Sequence, residues 1–266
     1  MGRIKKVKIE EIVASRDLLV AQEYINEKTS YYSEFNKVYE EFCSLNEKED
    51  LTSEEVTLKI EAGKKVASII TLDFDFNKEE VKSKSTEYIK LARDILYVAG
   101  SKPFNDSEAL ILLVRALYGQ TNIAYSQTGE HKIVNIEDGN EWVDHLERDT
   151  KDHTLKSYAL TLRVFQYMVN GEALGLSVEQ RLKKSETDLI YASKWDEENY
   201  LAFYALGLLY SDNGNSKYNV EKATTNFKKV LEFKDKETKL DEYLMNGEKE
   251  RAMENASKKI DSLSQK

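Results

Sequence analysis

Residues 199–235 read NYLAFYALGLLYSDNGNSKYNVEKATTNFKKVLEFKD, and the placement of small and large residues in this stretch decides the fold. Phe203, Leu206, Gly207 and Tyr210 recur at helical spacing. After a turn signalled by Asp212-Asn213-Gly214-Asn215, so do Ala223, Phe227 and Val230. The pattern predicts a helix–turn–helix unit. Gly207 and Ala223 lack bulk and let the two helices approach, while Tyr210 and Phe227 fill the space beside them.

The same spacing extends in both directions. Ser185, Leu189 and Ala192 take second-helix places, followed by a turn at Trp195-Asp196-Glu197-Glu198-Asn199. The helix paired with them spans 158–169, with Leu160, Val164 and Tyr167 at the packing places and Asn170-Gly171 ending it. Arg163 falls where an apolar residue belongs. Further upstream, Ala92, Leu96 and Ala99 repeat the second helix, and 107–118 repeats a first helix. Downstream, Tyr243, Gly247 and Ala252 suit a more polar closing unit.

This arrangement resembles the tetratricopeptide repeat, a 34-residue helix–turn–helix unit. The likeness covers roughly 81–260. It departs from the family in a turn about four residues longer than the family's spacing, and in Asp235, which stands where the family has proline. The resemblance implies an all-α, right-handed helical-repeat superhelix over 77–266, preceded by an N-terminal helical region, 1–76, for interaction or capping. It also implies that first helices line a concave face. Carried over residue by residue, that face holds Leu201, Tyr204, Ala205, Leu208 and Ser211, and before them Tyr158, Thr161, Phe165 and Met168. No Lys, Arg or Asn stands at these places, which disfavours clamping of a peptide's terminal carboxylate and favours an apolar client.

Composition agrees with helices throughout. One proline and eleven glycines leave little material for β-turns, while 41% hydrophobic and 33% charged residues give a core inside a solvated exterior. Helical stripes run through 9–45, with a break near 26–30 and aromatic residues at Tyr31, Tyr32, Phe35, Tyr39 and Phe42. Thr52-Ser53-Glu54-Glu55 caps a further helix reaching to about Leu72. A polar connector at 73–77 leads to a helix over 81–99. Asp106-Ser107-Glu108 caps another, apolar on nearly every side through 109–114. At 127–140, Gly129 and Asp138-Gly139-Asn140 interrupt the pattern, and 132–136 is predicted as a short extended insertion.

Motifs for chemistry are missing. A formal charge of -9 argues against a nucleic-acid ligand, which requires a basic face. Cys43, the single cysteine, sits among apolar residues as a small hydrophobe, so no disulfide or cysteine zinc site forms within the chain. His131, His145 and His153 lack metal-ligand spacing, and neither Asp-Gly 138–139 nor Asn-Gly 213–214 fits a calcium loop. There is no phosphate-binding glycine loop and no nucleophile elbow.

The expectation is therefore a protein without catalytic residues, metal or cofactor that holds another protein, through a peptide segment or helix. Carriage of a small molecule or lipid, and self-assembly into a homo-oligomer, are the rival readings. No apolar run suffices for a membrane span. The basic start leads into Glu10-Glu11 and not into an apolar segment, so a cytoplasmic protein is expected, or an exported one if a leader has been removed.

Overall fold

The computed structural model describes residues 29–69, 71, 92, 95, 96, 106–129, 133–244 and 247–265. The stripe over 9–24, the connector at 73–77 and most of the helix at 81–99 lie outside these residues. Among the described residues the elements are all helical, with no strand. They are α1 (Thr29–Glu47), α2 (Ser53–Ser68), α3 (Ser107–Thr128), α4 (Ile133–Asp149), α5 (His153–Asn170), α6 (Val178–Trp195), α7 (Tyr200–Ser211), α8 (Val220–Leu231), a 3-10 helix (Lys239–Tyr243) and α9 (Glu248–Ser264).

The chain divides into two compact units, Met1–Gln127 and Thr128–Lys266. The division falls well C-terminal of the boundary expected at 76/77. The physical reason is α3. Ala109–Val114 are all buried, and Lys64 on α2 reaches the start of α3 with ion pairs to Asp106 (3.1 Å) and Glu108 (2.9 Å). A helix apolar all round is enclosed by its unit and does not begin a new one.

In the first unit α1 packs on α2, and Val38, Phe42 and Leu45 of α1 are buried. Thr52 caps α2 with a reciprocal pair: its Oγ1 accepts from Glu55 N, and the Glu55 carboxylate accepts from Thr52 N at 2.9 Å. Lys48 and Thr52 hold that exposed carboxylate well below the usual range, down to about 2. Asp106 caps α3 by accepting from Glu108 N and Ala109 N at 3.1 Å each.

The second unit opens on α4, where the extended insertion was expected. Ile136, Gly139, Val143, Leu146 and Thr150 are all buried, three or four residues apart. That helical stripe overrides the turn signals of Asp138-Gly139-Asn140, because burying one apolar face outweighs a glycine penalty of about 1 kcal/mol. From there each helix packs on the next: α4 on α5, α5 on α6, α6 on α7, α7 on α8, and α9 closing on α8.

Candidate functional site

The hairpin α5/α6 starts at Asp152, whose carboxylate accepts from Thr154 N (3.0 Å) and Leu155 N (3.2 Å). Ser177 and Gln180 form the reciprocal cap of α6. Between the helices lies Arg163. Its Nε and Nη2 bind Asp188 on α6 at 2.7 and 3.0 Å, a two-pronged ion pair, while Nη1 binds Asp144 on α4. Glu147 approaches Nη2 at 3.9 Å. The Arg163 side chain is 9% exposed and Asp188 12%, so this pair is largely withdrawn from water. Although burial disfavours a charged guanidinium, Asp188 and the neighbouring carboxylates hold its pKa above the ordinary arginine value. Arg163 thus ties three helices together at the place where the repeat pattern calls for an apolar residue.

Beside it, a cleft of about 490 Å³ is framed by Asn140 and Asp144 on α4, Arg163 and Tyr167 on α5, and Lys183, Lys184 and Asp188 on α6. Lys184 Nζ lies 5.6 Å from the Tyr167 ring centre. Burial pushes the Tyr167 phenol up to about 12.

Asn199 joins the two hairpins. Fully buried, it caps α7 by accepting from Ala202 N at 3.1 Å, and its Nδ2 donates to Ser157 Oγ (2.7 Å) and Thr161 Oγ1 (3.1 Å) on α5. Ser157 Oγ in turn donates to Ala192 O on α6 at 2.7 Å. The turn residue therefore satisfies a helix N-terminus and locks it onto the preceding hairpin.

In the second hairpin the interior is apolar. Leu206, Gly207, Tyr210, Ala223 and Phe227 are buried as expected of packing residues. A Cβ at Gly207 would lie 2.5 Å from Phe227 Cε1, so the Phe227 ring occupies the volume that a side chain would need. The Tyr210 hydroxyl donates to Glu186 at 2.9 Å, and burial together with that carboxylate raises its pKa to about 12. Phe203 differs from expectation. It is only half-buried and does not sit in the core.

The expected face is partly filled. Tyr158 is completely buried and Leu201 is 3% exposed, so neither can meet a partner; Thr161 is likewise spent internally. The cause at Tyr158 is the 3-10 helix, which lies over the beginning of α5. The Tyr158 hydroxyl donates to Tyr243 O at 3.3 Å and the two rings stack at 6.5 Å. At the first residue of α7, the Tyr200 hydroxyl donates to Asp241 at 2.5 Å, and Lys239 reaches Asp152 at 2.6 Å. Lys249 completes this cluster with an ion pair to Asp241 at 2.7 Å.

The later turns of the same helices remain open. Leu162 and Phe165 are half-buried and Met168 and Val169 exposed on α5; Phe203, Tyr204, Leu208 and Ser211 are half-buried on α7. Tyr204 leans on Phe227 at 6.1 Å. Helix α7 contains no charged residue, and the two charged residues of α5 beyond His153, Lys156 and Arg163, are both buried. Past its first residue, the accessible part of these neighbouring helices is therefore charge-free, in a chain one third charged.

Among the described residues no three His, Cys, Asp or Glu side chains gather to hold a metal ion, and no helix is long and apolar enough to cross a membrane. His145 pairs with Asp149 at 2.9 Å, and His153 lies against Trp195 at 5.1 Å. The chain matches no family model, no curated protein and no solved structure.

Proposed function

We propose that this protein is a non-enzymatic interaction scaffold of the tetratricopeptide-repeat kind, with α5/α6 and α7/α8 as successive repeats and α9 as the closing helix. It holds a protein partner against the later turns of α5 and α7. The observation that carries this reading is the charge-free, partly exposed surface of Phe165, Met168, Val169, Tyr204 and Leu208. Apolar surface left in water has a standing cost, and contiguous patches of it mark interaction sites. An ionised partner group docked there would lose its hydration with no opposite charge to replace it. The partner segment therefore presents apolar side chains, as an amphipathic helix or an extended strand does.

The support from packing is the combination of Gly207 under Phe227 and Asn199 bridging hairpins, which fixes the spacing between successive units. The test is retention from native lysate on immobilised wild-type protein beside a Tyr204→Ala, Leu208→Ala variant of unchanged circular dichroism. A single protein held by the wild type and lost by the variant is the expected result. Equal retention by both moves binding off this face, and retention of nothing but the chain itself replaces the scaffold with a self-assembling protein.

A further inference from the structure

The cleft between α4, α5 and α6 separates charge in a way that the scaffold role does not use. On its α4 side stand Asp144, which pairs with Arg163 of α5, and Glu147, which lies 3.9 Å from the same guanidinium without lining the cleft; Asp188, the other partner of Arg163, belongs to α6. Asp144 engages the guanidinium through Oδ1 while its side chain stays 64% exposed. On the α6 side stand Lys183 and Lys184. Neither has an ion-pair partner among the described residues; Lys184 has the face of Tyr167, and the Lys183 backbone carbonyl accepts from Thr187 Oγ1. The α4 wall thus contributes carboxylates alone, Asp144 with Glu147 near by, and the α6 wall two lysines against the single carboxylate of Asp188, across a volume of about 490 Å³.

A simple anion would meet the lysines but be repelled by the α4 wall; a simple cation would face the reverse. A molecule with both charges satisfies both walls, and the volume is that of a small-molecule site, not of a docked helix. We infer that this cleft binds a small zwitterion, an amino-acid-like compound whose ammonium group meets Asp144 and whose carboxylate meets Lys183 and Lys184. Tyr167 offers its ring to the chain between the two charges.

The experiment is calorimetric titration of the full-length protein at low salt with glycine, 4-aminobutyrate and 6-aminohexanoate. Hexanoate and hexylamine serve as single-charge controls. At least one ω-amino acid is expected to bind at least about ten-fold more tightly than either control. Lys183→Ala with Lys184→Ala, and separately Asp144→Asn, are each expected to weaken it by a similar factor. Both changes leave the Arg163–Asp188 pair in place, Asp144→Asn keeps a carbonyl oxygen for Arg163 Nη1, and unchanged circular dichroism verifies the fold. The Tyr204→Ala, Leu208→Ala protein keeps this binding, since the two sites share no residue, so failure of the scaffold reading does not touch it. Equal binding of a single-charge control, indifference to the lysine and aspartate changes, or no heat with any amino acid at millimolar concentration overturns the assignment.

Discussion

The two hairpins of the second unit solve one packing problem with opposite chemistry. In α7/α8 the helices meet over Gly207 and Ala223, with the Phe227 ring filling the gap, and the interior is apolar. In α5/α6, Val164 stands where the other hairpin has glycine, and the interior is tied by Arg163 to Asp188 and Asp144. Apolar packing is non-directional and tolerates rearrangement. A two-pronged ion pair fixes the rotation of each helix about its axis, at the expense of desolvating charge. The difference teaches that two helical hairpins of one unit can be closed by opposite chemistries. The ionic closure also has a by-product: it places charge at the edge of a cleft.

Breaking the ionic hairpin has the largest expected effect. Arg163→Met leaves Asp188 without its cation, which costs about 3–5 kcal/mol in urea denaturation. Adding Asp188→Leu should recover most of that loss. A double variant as unstable as the single one would show that the pair acts through more than mutual charge compensation. In the apolar hairpin, Gly207→Ala forces the Phe227 ring aside at a cost of about 1–3 kcal/mol, and Phe227→Leu in the same chain reduces that cost.

The junction comes next. Asn199→Ala removes a helix cap and leaves the Ser157 and Thr161 hydroxyls without their donor, for about 2 kcal/mol. Hydrogen exchange should show faster opening at the start of α7 than in α8; uniform change across both hairpins would argue that they are one cooperative block. The smallest effect is on the acid side. For Asp241, burial raises the pKa, yet the Lys249 ion pair, the Tyr200 hydroxyl and Thr238 N outweigh it and hold the carboxyl below its ordinary 3.8. For Glu186, burial likewise opposes and Lys217 with Tyr210 prevails, below 4.5. A depressed folded-state pKa gives stability that is present above the ordinary value and lost as pH falls through the lowered one. Asp241→Asn should therefore flatten the pH dependence of the melting temperature below about pH 4 and leave it unchanged near neutrality.

Much of the helical content was legible from local signals. Thr52 with Glu55, Asp106, and Gly207 against Phe227 all act where their spacing placed them, because caps and close approaches depend on residues a few positions apart or on one face. The helix at Ile133–Asp149 was hidden by its Asp-Gly-Asn run, although the stripe of Ile136, Val143 and Leu146 carried the correct signal. Of the candidate face, Tyr204, Leu208, Phe165 and Ser211 kept some exposure, whereas Tyr158 and Leu201 did not. At Tyr158 the contact comes from Tyr243, 85 residues away, and no local pattern encodes such a distance.

The sequence by itself determined that this chain is helical, where many of its helices begin, and which small residues let two of them close. Those properties follow from hydrophobic period, capping chemistry and side-chain volume, all read within one or two turns of helix. Only the tertiary structure decided that Arg163 would be a buried tie and not a misfit, that the 3-10 helix would cover the start of α5, and that Lys183 and Lys184 would share a cleft with Asp144 of α4. Each depends on partners brought together by the packing of several helices, and the energy of a charge is set by what surrounds it in space, not by its neighbours in the chain.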